Sequence, residues 1–135
     1  MESWRTIANE LGLADRFTFA GVQSDLKPFY QASDLMVHAA ERESFGLVLT
    51  EAMACGLPVV ASAAAGPKDI IVNGQTGRLV EIHDAPAFRS AIETYLADPQ
   101  IRRIHGAAGR KRVVEQFSMA RQVRDIATAI RTSLA

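Results

Sequence analysis

Short runs of β-forming residues alternate with helix-forming stretches along the first part of the chain, and this order of elements is compatible with few folds. Four runs have the composition of strands with apolar residues on both faces: residues 16–19, 34–38, 58–62 and 77–80. Helical patterns precede and separate them at residues 3–12, 25–32, 46–55 and 67–73. Strands separated by helices in this way form right-handed βαβ units. The pattern predicts an α/β fold with a Rossmann-like parallel sheet covered by helices on both faces.

The chain becomes wholly helical after residue 82. Asp84, Ala85 and Pro86 have the composition of a cap and first turn, and an amphipathic run continues from them to Leu96. A second helix restarts at Asp98-Pro99, and the stretch from residue 118 to residue 134 carries apolar residues at helical spacing. The sequence therefore predicts a helical C-terminal segment.

Length and the first predicted element bound the domain organisation. A chain of 135 residues buries one core, so residues 1–135 are expected to form a single domain or part of one. Doubly wound domains usually begin with a strand, whereas this chain opens on an amphipathic helix that bears Trp4, Ile7 and Leu11. We therefore expect that one or more N-terminal strands of the domain are missing and that the sequence comes from a longer protein.

Cysteine, histidine and charge exclude several classes of protein. Cys55 is the only cysteine and the three histidines are far apart, so we expect no disulfide and no metal site. No secretory signal or membrane span is visible, so the predicted location is the cytoplasm. Residues 102–135 hold eight Lys/Arg against two Asp/Glu. A solvated helix face explains this excess better than nucleic acid, and peripheral contact with the inner face of a membrane is the remaining alternative.

The segment with the most chemical information places Glu43 and Glu51 eight residues apart around the predicted start of a helix near Gly46. The amides of Phe45, Gly46 and Leu47 would then lie at a helix N-terminus, where unpaired donors and the helix dipole favour phosphate. Carboxylates accept hydrogen bonds from hydroxyl groups, so Glu51 suits a ribose and Glu43 suits a sugar.

A structural interpretation of the same residues stays open at this point. One glutamate could cap the helix while the other is solvated, and Gly46 could be only a turn residue. His38 ends a predicted buried strand and is interpreted as a satisfied core histidine outside the site.

Three motifs resemble those of one large enzyme family. They are Glu43-Ser44-Phe45-Gly46-Leu47, the stretch from Glu51 to Val60 with its Gly-x-Pro turn, and Asn73-Gly74-Gln75-Thr76-Gly77 with the strand that follows. Together they resemble the group 1, glycogen-synthase-like family of glycosyltransferases, and the resemblance covers nearly the whole chain from Leu11 to about Phe117.

The resemblance implies a C-terminal donor-binding domain of an enzyme with two facing Rossmann-like domains, the GT-B fold. Such an enzyme transfers a sugar from a UDP-, GDP- or ADP-sugar with retention of configuration, without a metal or other cofactor, to a glycan, lipid-linked or small-molecule acceptor. Glu43 is then the catalytic residue that contacts the transferred sugar, and Glu51 binds the ribose. The donor-binding set implied for this chain comprises Glu43, Ser44, Phe45, Gly46, Leu47, Glu51, Val22 and Gln23, with the last pair near the nucleobase.

Two departures from the family pattern limit what is expected of the chain alone. The loop Ala65-Gly66-Pro67-Lys68-Asp69 keeps an acidic residue but displaces the usual proline. The basic pair that binds the donor phosphates and the N-terminal acceptor domain are both expected upstream of this sequence. We therefore expect the isolated chain to be inactive in transfer. The alternative is a non-catalytic nucleotide-sugar-binding module or a degenerate relative.

Overall fold

The computed structural model describes residues 2–133 and contains a parallel three-stranded sheet. The strands are β1 (Met36–His38), β2 (Val59–Ser62) and β3 (Arg78–Val80), and they lie side by side in sequence order. Val37 is level with Val60 across the β1–β2 pair, and Ala61 is level with Leu79 across the β2–β3 pair. Three of the four predicted strands are thereby confirmed, with ends that differ by one or two residues.

The described part of the chain also contains seven α-helices. They are α1 (Glu2–Glu10), α2 (Lys27–Ala32), α3 (Leu47–Ala54), α4 (Ala65–Ile70), α5 (Ala85–Ala97), α6 (Pro99–Gln116) and α7 (Met119–Ser133). The predicted C-terminal helical segment is confirmed, although Leu134, at its predicted end, lies outside the described residues.

The central strand β2 separates two apolar clusters because its side chains alternate between the faces of the sheet. Val59 and Ala61 pack with residues of α3, α4 and α6, among them Leu49, Met53 and Ile70. On the other face Val60 packs with Val80 and Tyr95 and with the apolar side of α5. All four residues of β2 are buried. The prediction of a parallel sheet with helices on both faces is confirmed.

Residues 16–19 do not form the predicted first strand. Ala14–Arg16 make a single 3-10 turn, and the chain then continues without ladder hydrogen bonds to another described strand. Phe17 and Phe19 stack with ring centroids 6.0 Å apart, and the Arg5 guanidinium lies 4.8 Å from the centre of the Phe19 ring. A strand exists only when a neighbour supplies its hydrogen bonds. The local composition is typical of a strand, but no partner strand lies beside it within residues 2–133.

The predicted helix at residues 67–73 begins two residues earlier and ends three residues earlier. The turn that follows α4 is held by its own hydrogen bonds, which compete with further helical ones. The Thr76 hydroxyl accepts the Val72 N–H at 2.9 Å, and the Asn73 side chain accepts the Leu79 N–H at 3.0 Å. Gly74 has φ 76°, which suits glycine in a turn. Asn73-Gly74 therefore belongs to the turn that leads into β3.

The basic C-terminal region partly serves the fold. Arg112 donates to the carbonyl oxygens of Ile70 at 2.7 Å and Asp69 at 2.8 Å, and it also lies over the Phe117 ring. Arg102 donates to the Tyr95 carbonyl oxygen. These two side chains are therefore engaged in tying α6 to the rest of the domain. No helix of residues 2–133 has the length and apolar character needed to cross a membrane.

A buried tyrosine–histidine hydrogen bond joins α5 to α6. The Tyr95 hydroxyl lies 2.7 Å from His105 Nδ1, and both residues are buried. Burial raises the pKa of Tyr95 to about 12, so its hydroxyl keeps its proton and can donate to a neutral His105. Burial also lowers the pKa of His105, and the positive charge of Arg78 lowers it further.

Acidification below pH 6.5 is expected to destabilise the fold through His105. The unfolded chain takes up this proton near the ordinary pKa of about 6.5, whereas the folded chain takes it up only at lower pH. The contribution of neutral His105 to the free energy of unfolding is therefore fully present above pH 6.5. It falls as the pH drops towards the folded-state pKa of His105. For one proton the slope stays below about 1.4 kcal/mol per pH unit. Urea unfolding from pH 8 to pH 5 measures it, and His105→Gln should flatten the curve. An unchanged slope in that variant would assign the effect to another group.

Candidate functional site

The loop before α3 is shaped by two glycines. Gly46 precedes the helix with φ 102°, and a Cβ there would lie 3.0 Å from Leu49 Cδ1. The Gly66 N–H donates to the Glu43 carbonyl oxygen at 3.0 Å, and a Cβ on Gly66 would come within 2.3 Å of the Phe45 carbonyl oxygen. The residues from Glu43 to Gly46 are thus fixed between the start of α3 and α4.

The Glu43 carboxylate has a protein neighbour at each of its oxygens. Its Oε1 accepts the Phe45 N–H at 3.1 Å, and its Oε2 lies 3.3 Å from His38 Nε2. The two side chains are 26% and 20% exposed respectively, so Glu43 remains accessible at the end of β1. Part of the open structural interpretation therefore applies, because Glu43 does accept a local backbone hydrogen bond.

His38 does not fit its interpretation as a satisfied core histidine. Its Nε2 is buried and makes no hydrogen bond of good geometry within the described residues, although Glu43 Oε2 is within ion-pair distance. The strand pattern predicted a buried residue, whereas His38 is partly exposed, and the pattern carried no information about the return of the loop over the end of β1. His38 is consequently a neighbour of the candidate site that the sequence interpretation left out.

The hydrogen bond from the Phe45 N–H to Glu43 changes the predicted phosphate site at the start of α3. The Phe45 amide points at Glu43 and is therefore engaged, while Gly46 and Leu47 stand at the helix start, where helix geometry provides no acceptor for the first N–H groups. Ser44, Phe45 and Leu47 are exposed on this loop. The Phe45 ring also meets Phe117 edge-on at 6.1 Å. An anion at this end would approach Leu47, since Gly46 itself is buried.

Glu51 lies on the wall of a separate cavity of about 580 Å³ between α2, α3 and α6. Its Oε2 accepts a hydrogen bond from the Tyr30 hydroxyl at 3.1 Å. Gln23, Lys27 and Arg110 line the same cavity. The structure thus brings together Gln23 and Glu51, two of the predicted donor-binding residues, across 28 positions of sequence. Glu43 is not among the residues that line this cavity.

Val22 and Gln23 occupy different environments after the turn at Gly21, which has φ 70°. Val22 is 97% exposed and does not line the cavity. The Gln23 side-chain amide donates to the Ala20 carbonyl oxygen at 2.5 Å. Gln23 therefore has a defined position at the cavity, while Val22 presents an apolar side chain to solvent beside it.

Lys27, Tyr30 and Arg110 are among the cavity residues that had no place in the sequence-based site. Tyr30 lies within the helix predicted at residues 25–32, and Arg110 lies within the basic region 102–135. The sequence therefore indicated the element of each residue but not its part in the cavity. That Tyr30 and Arg110 line one cavity with Glu51 depends on how α2 and α6 pack against α3, which no local pattern encodes. Among residues 2–133 no group of three or more His, Cys, Asp or Glu side chains is arranged to hold a metal ion.

The fold and the position of the site are those of an α/β protein that binds its ligand at the carboxyl end of a parallel sheet. A parallel α/β sheet carries polar loops at the carboxyl end of β1, where open sheets of this type bind their ligands. Comparison with known families then identifies the family, because the model described as glycosyl transferases group 1 matches residues 2–112. The chain belongs to the group 1 glycosyltransferases, and the family predicted from the motifs is confirmed.

Curated relatives support the same assignment. The chain is 38% identical over 112 residues to the lipopolysaccharide core biosynthesis glycosyltransferase LpsE of Rhizobium meliloti, covering 83% of this chain and 33% of the relative. It is also 38% identical over 111 residues to the N-acetyl-alpha-D-glucosaminyl L-malate synthase of Bacillus anthracis, covering 82% of this chain and 29% of the relative. The chain thus spans about a third of the length of these relatives.

Solved structures show the same fold over almost the whole chain. Sucrose-phosphate synthase from Thermosynechococcus elongatus superposes with a TM-score of 0.90 at 38% identity, covering 98% of this chain and 34% of that structure. HepE of Anabaena, in complex with UDP, superposes with a TM-score of 0.92 at 27% identity, with 97% and 36% covered. The C-terminal domain of LpcC from Francisella tularensis gives a TM-score of 0.79 at 26% identity, with 87% and 62% covered. The chain resembles the C-terminal domain of a GT-B glycosyltransferase.

Proposed function

We propose that this chain is the donor-binding domain of a retaining glycosyltransferase and that its donor is a UDP-sugar. The observation that carries the proposal is the cavity of about 580 Å³ in which Gln23 and Glu51 meet. Membership of the group 1 family supports it, and a similar solved structure, HepE, is in complex with UDP. GDP and ADP are the competing nucleotides.

Each part of the donor has a matching group. Glu51 accepts the ribose hydroxyls, and Gln23 lies on the side of the base. The diphosphate meets the Leu47 amide, where the positive end of the α3 dipole favours the charge that develops on the leaving group. Glu43, fixed by the Phe45 amide and adjacent to His38, contacts the transferred sugar. The acceptor is bound by a second, N-terminal domain, so the protein positions the reactants and stabilises charge.

The direct test is calorimetric titration of the chain with UDP, GDP, ADP and UDP-glucose. Saturable binding of UDP, with weaker binding of the purine nucleotides, is the expected result. Binding of GDP or ADP in preference to UDP would revise the donor base only. Absence of saturable binding by every nucleotide, both in this chain and in an enzyme that contains it, would overturn the proposed function. Retention is tested on an enzyme that contains this chain, by proton NMR of the anomeric signal in the newly formed product.

A second candidate is a nucleotide-sugar-binding module without transferase activity. It is favoured by one observation, namely that both Glu43 oxygens already have protein neighbours and could serve only to shape the loop. Both candidates predict nucleotide binding. Only the transferase predicts that Glu43→Gln abolishes sugar transfer in the enzyme while nucleotide affinity is retained.

A further inference from the structure

A tyrosine and a glutamate from two different helices meet on the wall of the Glu51 cavity. Tyr30, on α2, donates its hydroxyl hydrogen to Glu51 Oε2 on α3 at 3.1 Å. The Tyr30 ring is half-buried and packs against the apolar cluster that contains Leu49 and Met53. Glu51 is exposed on the cavity side of its helix. A well-anchored donor thus contacts a carboxylate that has few other constraints.

This hydrogen bond limits the freedom of the Glu51 side chain. A glutamate side chain in solvent samples several rotamers and loses that freedom when it binds a ligand. A bond to an anchored hydroxyl removes part of the freedom before the ligand arrives, which reduces the loss on binding. A carboxylate has about four acceptor positions, so one bond from tyrosine leaves room for a pair of hydroxyl donors. The geometry therefore prepares Glu51 for a diol.

The tyrosine remains a donor over the whole working range of pH. The pKa of Tyr30 is raised to about 12, mainly because burial desolvates the phenol and also because of the hydrogen bond to Glu51 and the negative charge of Glu51. The phenol therefore keeps its proton at neutral pH. This agrees with a role that depends on the Tyr30 hydroxyl as a permanent donor.

We propose that Tyr30 is a positioning residue that orients Glu51 towards the 2′,3′-diol of the nucleotide ribose. The inference rests on the proposed function and deepens it, because it makes recognition of a ribonucleotide depend on a residue that acts through Glu51. The alternative is that the bond only clamps α2 to α3. The two roles differ in one respect: a clamp stabilises the site for any nucleotide, whereas a positioning residue matters only when the ribose carries hydroxyls.

The experiment compares wild type with Tyr30→Phe, using UDP and 2′,3′-dideoxy-UDP as probes in calorimetry. We expect Tyr30→Phe to weaken UDP binding by about threefold to tenfold, the range of one hydrogen bond in a partly polar setting. Binding of the dideoxy nucleotide should be the same for both proteins, because Glu51 then has no hydroxyls to accept. The matched control is Tyr95→Phe, which removes a different tyrosine hydroxyl on α5 and should leave UDP affinity unchanged.

The possible outcomes distinguish failure of the positioning role from failure of the proposed function. Unchanged UDP affinity in Tyr30→Phe would overturn the positioning role while leaving the proposed function intact. Equal weakening of both nucleotides would also overturn it and would assign Tyr30 to the helix clamp. If neither the wild-type chain nor an enzyme that contains it binds a nucleotide in the same titration, the proposed function itself fails and the inference fails with it. A urea unfolding curve for Tyr30→Phe verifies that the variant is folded.

Discussion

Replacing Glu51 with glutamine is expected to weaken UDP binding by about tenfold to a hundredfold. Hydrogen bonds to a charged acceptor contribute roughly 1.5–3 kcal/mol, and each 1.4 kcal/mol corresponds to a factor of ten in Kd. Glutamine keeps the length of the side chain, and its amide oxygen can still accept from Tyr30. The substitution therefore removes charge and one acceptor oxygen with little change in packing, since Glu51 is exposed.

The measurement is the Kd for UDP by calorimetry, with Glu93→Gln as the matched control. Glu93 is an exposed glutamate on α5 that pairs with Arg89 at 2.8 Å, and it does not line the Glu51 cavity. The control changes the net charge by the same amount, so any general electrostatic effect on an anionic ligand appears in both variants. A Kd for Glu51→Gln within twofold of the control would contradict the assignment of Glu51 to the ribose.

The elements that the sequence predicted well have strong local boundaries. For α3, a glycine lies at either end, Gly46 before the helix and Gly56 after it, both with positive φ. For β2, the run of apolar residues after Pro58 leads into a strand buried on both faces. The caps at Asp84 and Asp98 accept backbone N–H groups as predicted, at 2.9 Å from Ala87 and 2.8 Å from Gln100. In each case the signal and the structure involve neighbouring residues.

The prediction failed where the deciding contact is distant in sequence. Residues 16–19 have the composition of a strand, but strand formation depends on a partner. The His38–Glu43 contact and the Tyr30–Glu51 hydrogen bond depend on how a loop and two helices pack. The family motifs indicated Glu43 and Glu51, while the side chains that contact these carboxylates became visible only in the folded chain.

The close approach of α6 to the end of α3 depends on Gly106. A Cβ on Gly106 would lie 2.0 Å from the Gly56 carbonyl oxygen and 3.5 Å from Pro58 Cδ. Neither neighbour can yield easily, because Gly56 belongs to the turn that ends α3 and Pro58 leads directly into β2. Helix propensity and packing therefore make opposite predictions for Gly106→Ala. Helix propensity alone predicts that alanine raises the free energy of unfolding by about 1 kcal/mol relative to glycine.

We expect packing to outweigh helix propensity, so that Gly106→Ala lowers the free energy of unfolding by about 2 kcal/mol or more. Insertion of a methyl group into a filled contact typically costs about 1–3 kcal/mol, and here the clash is with backbone, which can move only if α6 shifts. Urea unfolding measures the change, and Ala107→Gly at the exposed neighbouring position of α6 reports the propensity contribution separately. A stabilised Gly106→Ala variant would mean that α6 can move away from α3 freely. Because α3 carries Glu51, such freedom would also contradict a cavity wall fixed by α3 and α6.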